Sequence, residues 1–222
     1  MKQTPAHDRH NPDVLRLMPK NLKRVVEVGC SSGALARAYM AENPVCEYTG
    51  IEIDPEYAER AKASCASVIC ADVESMSEEV FLSLFPSDCW VFGDSLEHLR
   101  DPWALLRRAR GHLQTGAVIV ACIPNAQHWS VQARLNCGAF WYEDQGLLDR
   151  THLRWFTRIT IIDLFQSTGY HIVEGHSRVA DEPARQDVMP SIRAMAVATG
   201  SDPQVAENDS LALQYVVKAA AA

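Results

Sequence analysis

Two carboxylates and a histidine stand close together in the middle of the sequence, in the segment VFGDSLEHLRDP. The spacing of Asp94, Glu97 and His98 places their side chains on one face if a helical turn forms there. A second histidine, His152, comes from the later segment GLLDRTHLRWFT. Carboxylates and imidazoles bind divalent cations, and imidazole is also a common general base. The four residues predict either a site for Mg²⁺, Mn²⁺ or Zn²⁺, or a catalytic histidine acting alone.

Each of these side chains also has a purely structural interpretation, which the sequence leaves open. Asp94 is suited to capping a turn, Glu97 to facing solvent, and His98 to packing beside a ligand without binding a metal. His152 fits a histidine of the core equally well.

A glycine-containing turn follows the first predicted strand, in the run VVEVGCSSGALARAYM. Gly29 and Gly33 bracket this turn, where glycine allows positive φ and a close approach of the backbone to a ligand. The free amides of the helix that follows can face that ligand. A turn without any ligand would carry the same glycines. The second predicted strand, however, ends at Glu52, an acidic residue at about the distance from the turn that suits a ribose diol.

A dinucleotide-dependent enzyme would have a similar turn with the pattern Gly-x-Gly-x-x-Gly/Ala. The corresponding residues in this sequence are Gly29, Ser31 and Ala34. Alanine is allowed at the last position, but a side chain at Ser31 obstructs a pyrophosphate. The sequence also has no obvious Tyr-x-x-x-Lys pair. A nicotinamide-dependent oxidoreductase is therefore disfavoured.

Three successive segments resemble the cofactor motifs of class I methyltransferases: the run GCSSG at 29–33, Glu52, and Asp72 after the third predicted strand. The resemblance covers most of the chain and implies that the cofactor is S-adenosylmethionine (SAM). It further implies that Glu27 and the glycine turn hold the methionine part, Glu52 the ribose, and Asp72 the adenine amino group. Ser31 stands where the family more commonly has glycine.

Local roles for the same acids stay open. Glu27 would serve as an ion partner, Glu52 as a surface acid at a strand end, and Asp72 as a helix N-cap. Asp94, at the end of the fourth predicted strand, is expected beside the cofactor as well as in the metal set.

The acceptor side carries two further resemblances. The run LLDRTHLRWFT resembles bacterial methyltransferases of glycan biosynthesis. The group Asp94-x-x-Glu97-His98, followed by His152, resembles metal-assisted O-methyltransferases, which include ubiquinone-biosynthesis enzymes and small-RNA 2′-O-methyltransferases. Asp94 departs from the glutamate usual there. Both resemblances imply a hydroxyl acceptor, on a sugar or small metabolite. The alternatives are a non-catalytic SAM-binding subunit of a partner enzyme and a small-RNA 2′-O-methyltransferase.

The elements that position these residues follow from an alternation of β-rich apolar runs with amphipathic stretches. This alternation predicts an α/β, Rossmann-like fold with a seven-stranded, mostly parallel sheet and helices on both faces. The strands are predicted at 24–28, 47–52, 67–70, 89–92, 117–122, 171–179 and 211–218. Helices are predicted at 32–41, 55–64, 78–85, 102–113 and 158–167, with one more helical stretch at 191–197.

The 222 residues predict a single domain spanning 1–222, with an insertion or flap at 181–210. No apolar run is long enough for a membrane span, and the polar amino terminus lacks a secretory signal, so we expect a cytoplasmic protein. The formal charge of −7 makes nucleic acid an unlikely partner and favours a small-molecule or glycan acceptor. Seven cysteines without a Cys-x-x-Cys pair disfavour a disulfide framework. The oligomeric state is open.

Polar and aromatic residues follow the fifth predicted strand: Asn125, His128, Trp129, Trp141 and Tyr142. They predict either a platform on which an acceptor ring stacks or a hydrophobic plug over the end of the sheet. Nearby, Arg150, Arg154 and Arg158 recur every four residues, and ion pairing or exposure to solvent is expected for each.

Overall fold

A seven-stranded sheet forms the centre of the molecule in the computed structural model, which describes residues 8–221. Its order is β3-β2-β1-β4-β5-β7-β6, and β7 pairs antiparallel with both of its neighbours. The other pairs are parallel, which confirms the predicted α/β fold. Numbered along the chain, the strands are β1 (Arg24–Val28), β2 (Glu47–Glu52), β3 (Ser67–Cys70), β4 (Cys89–Gly93), β5 (Val118–Pro124), β6 (Tyr170–Val179) and β7 (Ala212–Ala221).

Helices connect the strands, and several begin where an Asn or Asp precedes a proline. In those helices the Asn or Asp side chain accepts a hydrogen bond from a backbone N–H of the first turn, and proline fills a position that needs no donor. The helices are α1 (Pro12–Leu17), α2 (Ala34–Glu42), α3 (Pro55–Ala61), α4 (Glu78–Ser83), α5 (Pro102–Arg110), α6 (Trp129–Asn136), α7 (Arg158–Ser167), α8 (Arg185–Ala198) and α9 (Pro203–Leu211).

Both faces of the sheet are buried, which explains why its central strands are apolar at nearly every position. On β1 and β4, alternate side chains enter two separate apolar layers: Val26 and Trp90 belong to one, Val25 and Val91 to the other. Helices α4, α5 and α7 cover the first layer, and α1 and α2 cover the second. The sheet is thereby packed between two apolar layers, and the residues at the ends of its strands are available to form a site.

Some predicted boundaries are wrong for local physical reasons. The predicted helix at 32–41 begins later, at Ala34, because Ser31 and Gly33 have φ values of 48° and 78° that a right-handed helix cannot contain. The segment 181–210 contains α8 and most of α9, which lie in sequence between β6 and β7. Among residues 8–221, no helix combines the length and apolar character needed to cross a membrane.

Candidate cofactor and acceptor site

A cavity of about 800 Å³ opens at the carboxyl ends of β1, β2 and β4. Because β2 and β4 lie on opposite sides of β1, the connections there leave in opposite directions and a crevice remains between them. Its volume is typical of a small-molecule or cofactor site. Most of the residues predicted from the sequence line it: Glu27, Gly29, Ser31, Glu52, Asp72, Asp94, Glu97, His98 and His152.

Three residues of the turn after β1, namely Gly29, Ser31 and Gly33, lie in the left-handed region. Gly29 and Gly33 have φ values of 76° and 78°. A Cβ on Gly33 would lie 2.9 Å from the Cβ of Ser64, so this glycine allows the start of α2 to approach the end of α3. Gly33, predicted to contact the cofactor, is not among the cavity-lining residues; its visible role is this packing.

Glu52 is held in place by the same turn. Its Oε2 accepts a hydrogen bond of 2.8 Å from the backbone N–H of Ser31, and its Oε1 accepts one of 2.9 Å from the N–H of Asp54. Ser31 has a positive φ, and in this conformation its N–H reaches the Glu52 side chain at the end of β2. Each carboxylate oxygen can accept a further bond, so Glu52 keeps the capacity to bind a diol.

Glu27 is a buried carboxyl group, and the hydroxyl of Tyr48 donates to its Oε2 at 3.0 Å. Burial raises the pKa of Glu27 to about 8, against the opposing effect of the Tyr48 hydrogen bond. Without a ligand, Glu27 is therefore mainly protonated at neutral pH. A cationic ligand group in the cavity would favour its ionised form.

Asp72 has local partners for both carboxylate oxygens. Oδ1 accepts from the N–H of Glu74 at 2.9 Å and caps a short 3₁₀ turn over Val73–Ser75. Oδ2 pairs with Arg100 at 2.7 Å. The capping role that the sequence left open is thus present, and an adenine amino group at this edge would share the carboxylate with Arg100.

Glu97, His98 and His152 converge on one point at the other end of the cavity. Glu97 and His98 lie in a 3₁₀ turn after β4, and the N–H groups of Leu153 and Arg154 both donate to the main-chain carbonyl of Glu97, which brings the His152 segment alongside. One ligand atom from each of the three side chains lies within 4.8 Å of the others. Glu97 is 1% exposed, and its Oε2 has no hydrogen-bond partner among the described residues.

The two imidazoles present their Nε2 atoms to Glu97. His98 Nδ1 lies 3.2 Å from the carbonyl oxygen of Thr151, and His152 Nδ1 lies 3.3 Å from that of Leu147. Because a carbonyl only accepts, these contacts assign the proton of each neutral ring to Nδ1. The Nε2 lone pairs are then 4.0 Å and 3.9 Å from Glu97 Oε1.

The surroundings of this group shift the pKa values of Glu97 and His152 in opposite directions. Burial, followed by the neighbouring His98, lowers the pKa of His152 to about 4, so its imidazole is neutral at pH 7. Burial and the nearby Asp94 charge raise the pKa of Glu97 well above its usual value. The pocket therefore holds a neutral acceptor nitrogen beside a carboxyl group that ionises with difficulty unless a cation is present.

Asp94 was predicted as a fourth metal ligand, and the structure does not bring it into this group. Its φ of 62° turns it away from the helical face assumed in the sequence prediction. Its Oδ1 accepts a hydrogen bond from Gln214 of β7. Asp94 still lines the cavity on the cofactor side.

Gln214 was not predicted, because nothing in the run LALQYVVK marks one polar residue of a strand as functional. Arg9, His10 and Asn11 line the same cavity and were not predicted either. Asn11 is the N-cap of α1 and precedes Pro12, and such an Asn-Pro pair is a helix start signal that the sequence shows.

The residues after β5 mostly have structural partners. Asn125 is fully buried and binds main-chain carbonyls, while the Nε1 of Trp129 donates to Glu182 at 2.9 Å. Trp141 and Tyr142 are 74% and 60% exposed and do not line the cavity.

Comparison with known proteins identifies the family. The model of a methyltransferase domain matches residues 6–175, well over half of the chain. Among curated protein sequences, none is significantly similar to this chain.

Solved structures share the fold at low sequence identity. An S-adenosylmethionine-dependent methyltransferase from Mesorhizobium loti is 16% identical, with 94% of this chain and 96% of that chain covered and a TM-score of 0.60. The magnesium protoporphyrin IX methyltransferase of Synechocystis PCC 6803 with bound SAH is 10% identical, with coverage of 92% and 75% and a TM-score of 0.58. The mitomycin 7-O-methyltransferase MmcR is 12% identical, with coverage of 95% and 52% and a TM-score of 0.59. The acceptors named for the last two proteins differ, so the shared fold does not indicate an acceptor.

Proposed function

The chain belongs to the methyltransferase domain family, and on that premise we propose that it methylates a hydroxyl group of a sugar or small metabolite with the help of a divalent metal. It is a SAM-dependent methyltransferase, as the sequence motifs predicted. The observation that carries the finer proposal is the convergence of Glu97, His98 and His152 on one point of the cavity.

The cofactor site is proposed from the residues at the ends of β1 and β2. Glu52, fixed by two backbone N–H groups, would accept hydrogen bonds from the ribose hydroxyls. Glu27 and the turn at Gly29 would hold the methionine part, whose ammonium group would favour the ionised form of Glu27. These roles agree with what the class I motifs imply.

The residues present fit a divalent cation. Two Nε2 lone pairs and a carboxylate face one another at distances too long for hydrogen bonds, with an orphaned, buried oxygen on Glu97. Buried acceptors that lack donors are costly, and a cation satisfies all of them together. The backbone carbonyls that hold both Nδ1 protons are the usual outer partners of metal-binding histidines. Such an ion would lower the pKa of the acceptor hydroxyl and help to position it.

Methyl transfer requires one in-line displacement: the bond from the acceptor oxygen to the methyl carbon forms, the carbon–sulfur bond breaks, and S-adenosylhomocysteine (SAH) and a proton leave. The chain has to orient the hydroxyl and remove that proton. A pKa of about 4 makes His152 a weak base, which favours a ligand role over proton abstraction by this residue alone. An unaided histidine base is the competing mechanism.

Chelation separates the two mechanisms. With methyl-labelled SAM and pools of carbohydrate and phenolic acceptors, excess chelator should abolish transfer, and Mg²⁺, Mn²⁺ or Zn²⁺ should restore it. Cofactor binding should survive chelation, because Glu27 and Glu52 are not in the metal group. Full activity in chelator, with no metal found by elemental analysis, would reject the metal.

Variants test the same set without an acceptor. Glu97→Ala, His98→Ala and His152→Ala should each weaken Mn²⁺ binding measured by calorimetry, by roughly tenfold or more, since each removes one ligand of a small set. His171→Ala, which changes an exposed histidine of β6, is the matched control. Equal Mn²⁺ affinity in all four variants would count against the site.

A further inference from the structure

Asp94 lines the cavity, and its carboxylate is hydrogen-bonded to a residue that lies 120 positions away in the sequence. It follows β4 directly, next to the glycine turn of β1, and has a φ of 62°, in the left-handed region. Its Oδ1 accepts a hydrogen bond from the side-chain amide of Gln214, which lies on β7 and lines the same cavity. Burial, and after it the nearby Asp94 carboxylate, raises the pKa of the Cys122 thiol on β5 well above its usual value.

Gln214 is itself held from the other side. Its Oε1 accepts a hydrogen bond from Nη1 of Arg178, its direct cross-strand partner on β6. Nε of Arg178 pairs in turn with Oδ2 of Asp13 on α1, at 3.1 Å. Four elements, α1, β6, β7 and the end of β4, are therefore linked by one row of polar contacts that ends in the cavity.

This row fixes which way the amide of Gln214 points. A guanidinium group only donates hydrogen bonds and stays charged, so the group that faces Arg178 has to be the amide oxygen. The amide nitrogen must then face Asp94. A donor in that position stabilises the ionised carboxylate and restricts its rotation.

The charge of Asp94 has a natural counterpart in the cofactor. The ribose end is assigned to Glu52 and the methionine end to Glu27 and Gly29, so the sulfur atom that joins them belongs beside the ends of β1 and β4. In SAM this sulfur is a cationic sulfonium, whereas in SAH it is a neutral thioether. A carboxylate held at the end of β4 would distinguish the two electrostatically.

We propose that Gln214, oriented by the Asp13–Arg178 ion pair, is a positioning residue that directs the Asp94 carboxylate toward the sulfonium of SAM and so favours the charged cofactor over its neutral product. The inference rests on the cofactor site and not on the metal or the acceptor.

The test compares the affinities of SAM and SAH by calorimetry, in excess chelator, so that a failure of the metal proposal cannot affect it. Asp94→Asn removes the charge but keeps a residue type that tolerates positive φ. Gln214→Met removes the amide at nearly constant length. Both should weaken SAM binding by about tenfold relative to SAH, and Arg178→Met should have a smaller effect in the same direction, which Arg178→Lys should partly reverse.

The chain offers a matched control on α9. Gln204 also accepts a hydrogen bond from an arginine, Arg193, at 3.3 Å, but it is exposed and does not line the cavity. Gln204→Met should leave the ratio of SAM to SAH affinity unchanged. Thermal melting in the presence of SAH checks that each variant is folded. If Gln214→Met weakens both ligands equally, or neither, the positioning role is rejected.

Discussion

Glu27 is buried at 4% exposure on the central strand β1, and its pKa of about 8 makes the stability of the ligand-free protein depend on pH. The ordinary pKa of glutamate, which applies to the unfolded chain, is 4.5. Between these two values the folded state retains a proton that the unfolded state loses. The stabilisation from this group is therefore complete below pH 4.5 and is lost progressively as pH rises through 8.

We expect Glu27→Gln to remove this pH dependence. The wild-type free energy of unfolding, measured with urea in the absence of cofactor, should fall relative to that of the variant by up to ~1.4 kcal/mol per pH unit between pH 5 and 8. Glu47→Gln, a substitution of an exposed glutamate on the adjacent strand β2, should run parallel to wild type. If wild type and Glu27→Gln run parallel over this range, Glu27 is not buried in its protonated form.

At the scale of single residues, the sequence predicts chemical type better than it predicts partners. Glu27, Glu52, Glu97, His98 and His152 all line the cavity, because strand ends are readable from apolar runs and the residues after them point to one edge of the sheet. The partners of Asp72 and Asp94 are not readable. Arg100 and Gln214 are 28 and 120 positions away, and no local pattern joins residues so far apart.

At the scale of elements, the central strands β1, β4 and β5 were predictable because burial on both faces forces continuous apolar runs. Helices α1 and α9 were missed although each begins with an Asn-Pro or Asp-Pro start signal. Their apolar faces are short, so neither segment has enough hydrophobic periodicity to predict a helix. Helix α6 begins at Trp129, a residue that the sequence predicted to belong to a stacking platform or a hydrophobic plug.

Asn125 shows how a polar residue predicted near the acceptor can instead join two elements. It is completely buried after the end of β5. Its Nδ2 donates to the carbonyls of Asp209 and Ala212, both at 2.7 Å, and its Oδ1 accepts from the N–H of Gln127 at 3.0 Å. One side chain thus ties the end of α9 and the start of β7 to β5.

We expect Asn125→Asp to destabilise the protein by about 3 kcal/mol or more, because it replaces two buried donor hydrogens with a carboxylate facing two carbonyls. The measurement is urea unfolding at pH 7. Asn208→Asp makes the same change at an exposed position of α9 and should cost less than about 0.5 kcal/mol. Equal losses in the two variants would mean that Asn125 does not hold these elements together.

At the scale of the whole molecule, the charge distribution bears on the acceptor. The chain has a formal net charge of −7. The three arginines near the acceptor side have polar partners: Arg150 pairs with Asp144 at 2.9 Å, Arg158 pairs with Asp209 at 2.7 Å, and Arg154 donates to the carbonyl of Arg100. Carboxyl groups outnumber basic side chains among the residues that line the cavity: Glu27, Glu52, Asp72, Asp94, Glu97, Glu143 and Asp149, against Arg9, His10, His98 and His152. The raised pKa values of Glu27 and Glu97 mean that these two add negative charge mainly when a cation is bound.

A cavity of this charge attracts a cationic cofactor and repels a polyanion, since binding to a phosphate backbone depends on lysines and arginines that neutralise it. We therefore expect methyl label from SAM to enter uncharged hydroxylated acceptors in carbohydrate or phenolic pools, and not RNA. Arg150→Gln should change transfer by less than about twofold, because a rim charge that already has a partner contributes little. An RNA substrate would show the opposite behaviour, with transfer that falls steeply as salt rises and falls further in Arg150→Gln. Strong labelling of RNA with none in the carbohydrate or phenolic pools would overturn the proposed acceptor class while leaving the cofactor site intact.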